Sequence, residues 1–233
     1  MRRTLEIAVD SLADARAAER AGADRLELCG ALELGGVTPT IGLLRRVTHT
    51  VAIPVVAMLR VRGGNFNYDN AELETMLADL DALAGECVAG VVFGALDAPG
   101  NVDVRCCTAV AERWRAARPT GQLVFHRAFD RVRDPFAALE QVIALGFTRV
   151  LTSGQAASAA EPVGVERLAR LIERAGNRIE ILPGGGIRPE NVAALVRATG
   201  CTQVHSACRT PGENRIDERA VAQLRATLDA AAG

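Results

Sequence analysis

Short runs of apolar residues alternate along the chain with longer stretches in which apolar residues recur every three or four positions. Such runs are typical of buried parallel strands, and such stretches are typical of amphipathic helices. The pattern predicts strands at Thr4–Val9, Arg25–Cys29, Val55–Arg60, Gly90–Gly94, Leu123–Arg127, Arg149–Ser153, Glu180–Leu182 and Gln203–Ser206. It predicts a helix after each strand, at Leu12–Ala21, Thr40–Thr48, Asn70–Ala84, Asp103–Ala117, Phe136–Ala144, Val165–Ala175, Pro189–Thr199 and Glu218–Ala230.

Strands and helices that alternate in this way indicate parallel strands joined by helical crossovers. The 233 residues are enough for one α/β barrel, and no linker or low-complexity segment divides them. The sequence therefore predicts the α/β class, with a single (β/α)8 TIM barrel domain over residues 1–233. A doubly wound open sheet is the alternative architecture.

Composition narrows the possible chemistry. All 27 positively charged side chains are arginines, so no lysine is present to form a Schiff base with a substrate, and we expect no pyridoxal phosphate. With a net charge of −1 and 3% aromatic residues, the chain offers no basic or stacking surface for nucleic acid or an anionic membrane. We expect neither a signal peptide nor a membrane span, which predicts a cytoplasmic protein.

Polar side chains concentrate where the predicted strands end. In a TIM barrel these ends meet at one rim, and the reacting groups lie there. Side chains alternate between the two faces of a strand, and a charge pressed against the helix layer is costly. Glu6 and Glu27 should therefore point into the barrel. The same reasoning groups the other candidates at the mouth: Cys29, Arg60, Arg62, His126 and Asp130.

This mouth cluster has two interpretations, a structural network of arginine–glutamate pairs or a catalytic site. In the catalytic interpretation, His126 or one of the two glutamates moves a proton. Arg60 and Arg62 hold an anionic substrate group, and Asp130 orients His126.

Three consecutive glycines, Gly184, Gly185 and Gly186, follow the predicted seventh strand and precede a helix. Backbone amides in such a loop are suited to binding an anion, and Ser153 and Ser206 are candidates for further hydrogen-bond donors. The alternative is a tight turn that requires glycine for its conformation.

Several segments at the strand ends form a specific combination over nearly the whole chain: Ala23–Cys29, Arg60–Phe66, Phe125–Asp130, Arg149–Gly154, Gly184–Gly186 and His205–Ser206. In this order they resemble the copper homeostasis protein CutC family. The resemblance implies a TIM barrel, a cytoplasmic protein, self-association as a homodimer or larger homo-oligomer, and a role in copper homeostasis through binding of copper(I). This chain has Ala8 where many relatives have a cysteine, which removes one candidate ligand.

Copper(I) favours thiolate, thioether and imidazole ligands. Cys29, Cys208 and His205 are the candidates, because the second and eighth strands flank the first in a closed barrel. The alternative is a TIM-barrel enzyme that uses the Arg/Glu/His cluster on a small anionic or phosphorylated metabolite. A binding protein without catalytic activity is a third possibility.

Overall fold

The computed structural model describes residues 2–209 and 215–231. Its strands are β1 Thr4–Val9, β2 Arg25–Leu28, β3 Val55–Met58, β4 Gly90–Phe93, β5 Gln122–Phe125, β6 Arg149–Thr152, β7 Glu180–Pro183 and β8 Gln203–Ser206. Its helices are α1 Leu12–Arg20, α2 Ile41–Thr48, α3 Asn70–Ala84, α4 Val104–Ala117, α5 Pro135–Ala144, α6 Pro162–Ala175, α7 Pro189–Thr199 and α8 Glu218–Ala230.

The strands form one parallel sheet in the order β7-β6-β5-β4-β3-β2-β1-β8. A parallel bridge between Gly184 and His205 joins the two ends of this order. The predicted (β/α)8 TIM barrel is therefore confirmed, and the open-sheet alternative is wrong. Among the described residues, no helix is both long and apolar enough to cross a membrane.

Most helices begin where a short polar side chain satisfies free backbone amides. The capping residues are Ser11, Thr40, Asp69, Asp103, Asp134 and Asp217. The predicted helix Thr40–Thr48 begins one residue later, at Ile41, because the Thr40 hydroxyl accepts from the Leu43 amide and caps the helix. Thr38, before the helix, bonds the backbone of Arg60.

Strands β2 to β6 end one or two residues earlier than the apolar pattern predicts. Polar residues just after these strands belong to the loops of the mouth, where their backbone bonds cross to other loops. Arg60, for example, lies two residues beyond β3, and its carbonyl accepts from the Thr38 amide.

The two faces of each strand have different environments. Outward residues such as Leu5 and Ile7 pack with the helices in the main core, whereas Glu6 between them faces the barrel interior. Inside the barrel, a separate small apolar cluster fills the side formed by β2 to β5: Cys29, Val56, Met58, Val92 and Val124. Buried polar residues of β1, β2, β6 and β8 fill the other side, so the interior is apolar on one side and charged on the other: Glu6, Arg25, Glu27, Arg149, Gln203 and His205.

Candidate functional site

A network of paired charges lies at the amino-terminal end of the barrel interior. Arg25 is ion-paired through Nε with Glu6, and its Nη2 donates to Gln203 Oε1 at 2.9 Å. Gln203 donates to Glu180, which also accepts from Arg149 at 2.8 Å. These residues satisfy one another, so this end of the interior matches the structural interpretation of the polar cluster.

Glu6 links this network to a second carboxyl group nearer the mouth. Burial by itself would raise the pKa of Glu6, but Arg25 and His205 outweigh it and hold that pKa far below its usual range. The Glu6 carboxylate can therefore only accept, so His205 donates Nδ1–H to it across 2.8 Å. His205 Nε2 then points toward Glu27, 3.9 Å from Oε2.

The pKa values of Glu27 and His205 are both raised. Burial raises the pKa of Glu27, and the charge of Glu6 adds to the effect against the opposing pull of His205. Burial would lower the pKa of His205, but the carboxylates of Glu27 and Glu6 outweigh it and the net pKa is raised. Within the described residues, Glu27 Oε1 is buried and has no hydrogen-bond partner.

His126 lies across the mouth from His205, and its pKa is shifted in the opposite direction. Burial, reinforced by the positive charge of Arg60, lowers the pKa of His126 to about 3. Its Nδ1 accepts from the Ala128 amide at 3.2 Å, so the neutral ring carries its proton on Nε2. That Nε2–H is buried and has no partner among the described residues.

A cavity of about 150 Å³ lies between these groups, and Glu27, His205, His126 and Arg60 are part of its wall. The rest of its lining is mainly apolar: Ala8, Leu32, Met58, Phe66, Leu151 and Ala207. A larger cleft of about 1050 Å³ shares Arg60, Phe66 and Arg127 with the cavity. The cavity therefore adjoins an open cleft at the barrel mouth.

The two arginines predicted to hold an anion have other roles. Arg60 donates to the carbonyls of the loops around it, those of Leu34, Gly35, Gly36 and Gly64. Only its Nε is buried without a partner. Arg62 is ion-paired with Glu72 on α3, and its side chain is 37% exposed. The prediction of an Arg60–Arg62 clamp is therefore wrong, because loop carbonyls hold the two terminal nitrogens of Arg60 and an outer carboxylate pairs with Arg62.

Asp130 does not orient His126, contrary to prediction. Its carboxylate accepts from the Thr152 hydroxyl at 2.5 Å, the Ser153 amide at 3.0 Å and the Gln155 amide at 3.1 Å. It is also ion-paired with Arg127. Asp130 therefore organises the loop after β6, and a backbone amide orients His126 instead.

The hydroxyls predicted to bind an anion are also engaged internally. Ser153 Oγ donates to the Ala156 carbonyl at 2.7 Å, and Ser206 Oγ donates to the Ile187 carbonyl at 2.9 Å. Gly184 lies against His205 inside the barrel. Gly185 and Gly186 have positive φ values of 97° and 72°, which is what the tight-turn interpretation requires.

Arg127 is the cation that the sequence argument missed. It lines both the cavity and the cleft, and a side chain on Gly185 would touch its guanidinium group at 3.1 Å. It directly follows His126 in a strand-end motif, and that position was the available signal. Its side chain is 45% exposed, so it can meet a ligand in the cleft.

The predicted metal ligands do not come together as a group. Cys29 lies inside the barrel, 3.7 Å from Glu27 Oε2, whereas Cys208 packs in the main core outside it. Cys208 is two residues beyond Ser206 and shares its outward face, so strand parity explains why the predicted convergence with Cys29 is wrong.

Among the described residues, three side chains place potential metal-ligand atoms within 4.8 Å of one another: Glu6, Glu27 and His205. It contains no sulfur, and Arg25 already neutralises Glu6. The soft donors that fit copper(I) are instead Cys29 and Met58, which lie together against Gly36. Burial and the charge of Glu27 raise the pKa of Cys29 well above its usual value, so a metal would have to displace a proton.

The fold and the site define a TIM-barrel protein with a buried acid–base cluster at the carboxyl ends of its strands. The sequence model of the CutC family matches residues 3–210, and the chain belongs to that family. It is 45% identical over 215 residues to the human "Copper homeostasis protein cutC homolog", covering 92% of this chain and 77% of that protein. It is 45% identical over 207 residues to a CutC family protein of Xanthomonas campestris pv. campestris strain B100, covering 89% and 84%.

A solved structure gives the same result. The crystal structure of the putative copper homeostasis protein CutC from Streptococcus agalactiae is 34% identical in sequence and superposes with a TM-score of 0.78. The match covers 88% of this chain and 98% of that one.

Proposed function

We propose that the protein is an enzyme that transfers a proton on a small polar or anionic metabolite bound at the barrel mouth. One observation carries the proposal: Glu27 Oε1 and His126 Nε2 are buried and have no partner in the described part of the chain, and both residues line the same cavity. A buried polar atom without a partner costs about 1–3 kcal/mol. A ligand that bonds both atoms would recover that cost.

The ionisation states of the cluster supply a mobile proton. Glu6 stays an anion and keeps a proton on His205 Nδ1. The pKa values of His205 and Glu27 are both raised, and His205 Nε2 lies 3.9 Å from Glu27 Oε2, too far for a direct hydrogen bond. Glu27 can therefore give up or accept a proton while His205 compensates for the change in charge.

An anionic group on the substrate is best placed in the cleft beside Arg127. Arg127 reaches both spaces and lies against the turn formed by Gly185 and Gly186. Arg131 lines the cleft as well. This arrangement replaces the predicted clamp of Arg60 and Arg62 with a cation that is accessible.

The test is a binding screen with small phosphorylated and carboxylated metabolites, read by thermal shift and by ligand-observed NMR. We expect compounds that stabilise the wild type to bind Glu27→Gln at least about 10-fold more weakly, because a charge-assisted hydrogen bond to the buried carboxylate becomes a neutral one. His49→Gln is the matched control, since His49 is exposed at the end of α2. Equal binding by wild type and Glu27→Gln, or no binding at all, would contradict the proposal. Binding without turnover would favour the binding-protein alternative.

Copper(I) binding is the second candidate, favoured by Cys29 and Met58, whose side chains both lie against Gly36, and by the names of the mammalian relatives. The reduced protein would be titrated with copper(I) against a chromophoric chelator. One tight site that is lost in Cys29→Ser and kept in Cys208→Ser would support it. The structure makes Cys208→Ser the matched control, because that thiol is buried outside the barrel. Binding unchanged by Cys29→Ser would rule out copper at the mouth.

We also infer from the family a cytoplasmic protein that self-associates. Light scattering of the purified chain would give its oligomeric state. A monomer at micromolar concentration would contradict the inference.

A further inference from the structure

We propose that the proton is taken from a carbon atom next to a carbonyl group, with Glu27 as the base and His126 Nε2–H as the donor to the carbonyl oxygen. This inference rests on the proposed function and specifies its reaction. It starts from two residues that line one small cavity. Glu27 can accept a proton there, and His126 can donate a hydrogen bond.

His126 suits the role of donor because it cannot change charge. The Ala128 amide occupies Nδ1, and burial keeps the ring neutral. A neutral imidazole can polarise a carbonyl and stabilise the enolate oxygen that forms from it. Arg60 Nε, also buried and unpartnered in the cavity wall, supplies a second donor with a positive charge.

Glu27 suits the role of base because its Oε1 is buried, has no partner among the described residues, and belongs to a residue in the wall of the cavity. The neighbouring His205 lies 3.9 Å from the other oxygen, Oε2, and Glu6 holds His205 in place. These two neighbours act on Glu27 and are positioning residues.

The step balances without any further reactant. The C–H bond breaks, and its proton goes to Glu27. The electron pair of that bond becomes a carbon–carbon double bond, and the carbonyl π electrons move to the oxygen. Return of a proton from Glu27 to the same carbon exchanges its hydrogen. Return to the former carbonyl carbon isomerises a hydroxycarbonyl compound, with the proton of the hydroxyl group passing to the former carbonyl oxygen. No oxidant, reductant or metal is needed.

The cavity sets the size of the reacting group. A cavity of about 150 Å³ holds a molecule of roughly the size of benzene. Leu32, Met58 and Leu151 in its wall limit the access of water, which would protonate an enolate prematurely. The remainder of the substrate would extend into the cleft past Arg127. The substrate class is therefore a short hydroxyaldehyde, hydroxyketone or 2-oxo acid, with an anionic group at its far end.

Hydrogen–deuterium exchange tests this directly. The protein would be incubated in D2O with hydroxyacetone, dihydroxyacetone phosphate, glyceraldehyde 3-phosphate and 2-oxobutanoate, and 1H NMR would follow the C–H signal beside each carbonyl. We expect loss of that signal from at least one compound faster than in protein-free buffer. Glu27→Gln should slow the exchange about 100-fold or more. His126→Leu should slow it by about 100- to 1000-fold.

Two further variants separate catalysis from folding. His126→Gln keeps an N–H donor near the position of Nε2 and should recover part of the rate, whereas a merely structural role for His126 would give no such recovery. His49→Gln should exchange at the wild-type rate. Melting curves followed by circular dichroism would show that each variant is folded.

The outcomes also separate this inference from the proposed function. If none of the four compounds exchanges above the buffer rate while metabolites bind in a manner that depends on Glu27, the carbonyl chemistry is wrong and the proposed site stands. If neither exchange nor such binding occurs, both are wrong. Exchange that persists in folded Glu27→Gln would overturn the assignment of the base.

Discussion

The imidazole Nε2 of His205 stands 3.9 Å from the Glu27 carboxylate inside the barrel, and both side chains are buried. The two residues lie on β8 and β2, the strands that flank β1. Because Glu6 on β1 holds the other ring nitrogen, the imidazole has one defined orientation, with Nε2 toward Glu27. Besides its ion pairs, the mouth cluster therefore contains two buried titratable groups that shift each other's pKa.

Glu27→Gln should lower the pKa of His205, since the Glu27 carboxylate is the foremost of the groups that raise it. In the wild type the pKa of His205 is raised in the folded state, so its contribution to stability is present below the unfolded value of about 6.5 and is lost as pH rises through the folded value. The variant should lose this contribution at lower pH. NMR titration of the His205 ring proton and unfolding curves at several pH values would measure both effects. An unchanged His205 pKa would contradict the coupling.

Arg25→Met should destabilise the protein by about 3–5 kcal/mol, because it leaves the buried Glu6 carboxylate without its nearest cation. The pKa of Glu6 is lowered in the folded state, so its stabilisation is present above the model-peptide value of 4.5 and is lost as pH falls through the folded value. The variant should therefore lose less stability on acidification. Urea unfolding at neutral and acidic pH would test this.

The double variant Glu6→Gln/Arg25→Met serves as the control for that experiment. The double variant should lower the free energy of unfolding less than Arg25→Met alone does, since no uncompensated charge remains. A cost for Arg25→Met below about 1 kcal/mol would show that the ion pair contributes nothing to the barrel.

Gly94→Ala should impair the site without any direct contact to a ligand. An added Cβ would lie 2.6 Å from His126 Nδ1, so the imidazole must move. We expect loss of the binding and exchange activities described above, with the fold retained. Gly85→Ala at the end of α3 is the control, because its Cβ would meet nothing closer than 3.5 Å. Wild-type activity in Gly94→Ala would show that the position of His126 is not critical.

Arg60→Met and Arg62→Met should differ in their effect on stability. Arg60 is buried and donates to four loop carbonyls, so we expect its loss to cost at least about 2 kcal/mol. Arg62 pairs with Glu72 near the surface, where such a pair contributes about 1 kcal/mol or less. Denaturant unfolding of the two variants measures the difference. Equal costs would contradict the proposed role of Arg60 in holding the mouth loops.

Thiol labelling should find one fast-reacting cysteine in the native protein. Of the six cysteines, Cys87 is exposed and the other five are buried. Burial also raises the pKa of Cys29, which lowers the fraction of reactive thiolate. We expect one equivalent of rapid reaction with Ellman's reagent, abolished in Cys87→Ser. A second rapid equivalent that is lost in Cys29→Ser would show that the mouth opens more than the structure indicates.

Much of the fold was predictable because it depends on local patterns. The apolar runs and helix caps placed the elements to within a few residues, as Asn70–Ala84 shows. Strand parity also pointed Glu6 and Glu27 into the barrel, since their neighbours are apolar. Parity applied to β8 would have shown that Cys208 faces outward with Ser206.

The partners of the polar side chains were not predictable in the same way. Arg60, Asp130 and Ser206 lie at the mouth, yet loop backbone atoms about 20 residues away in the sequence occupy their polar groups. Ser153 is occupied by a nearer carbonyl, that of Ala156 in its own loop. Loop geometry decides such contacts, and no periodicity in the sequence records it. His126 likewise has a backbone partner, the Ala128 amide, in place of the expected Asp130.

The sequence by itself determined the barrel, the polarity of its interior and the family, because these follow from short-range spacing and from motifs in order along the chain. Only the tertiary structure decided which buried groups are satisfied and which are not. Glu27 and His126 come from strands far apart in the barrel, and their unpartnered atoms meet at one cavity only when the sheet closes. Desolvation in that closed interior, a property of the packed molecule, sets the direction in which each of their pKa values moves.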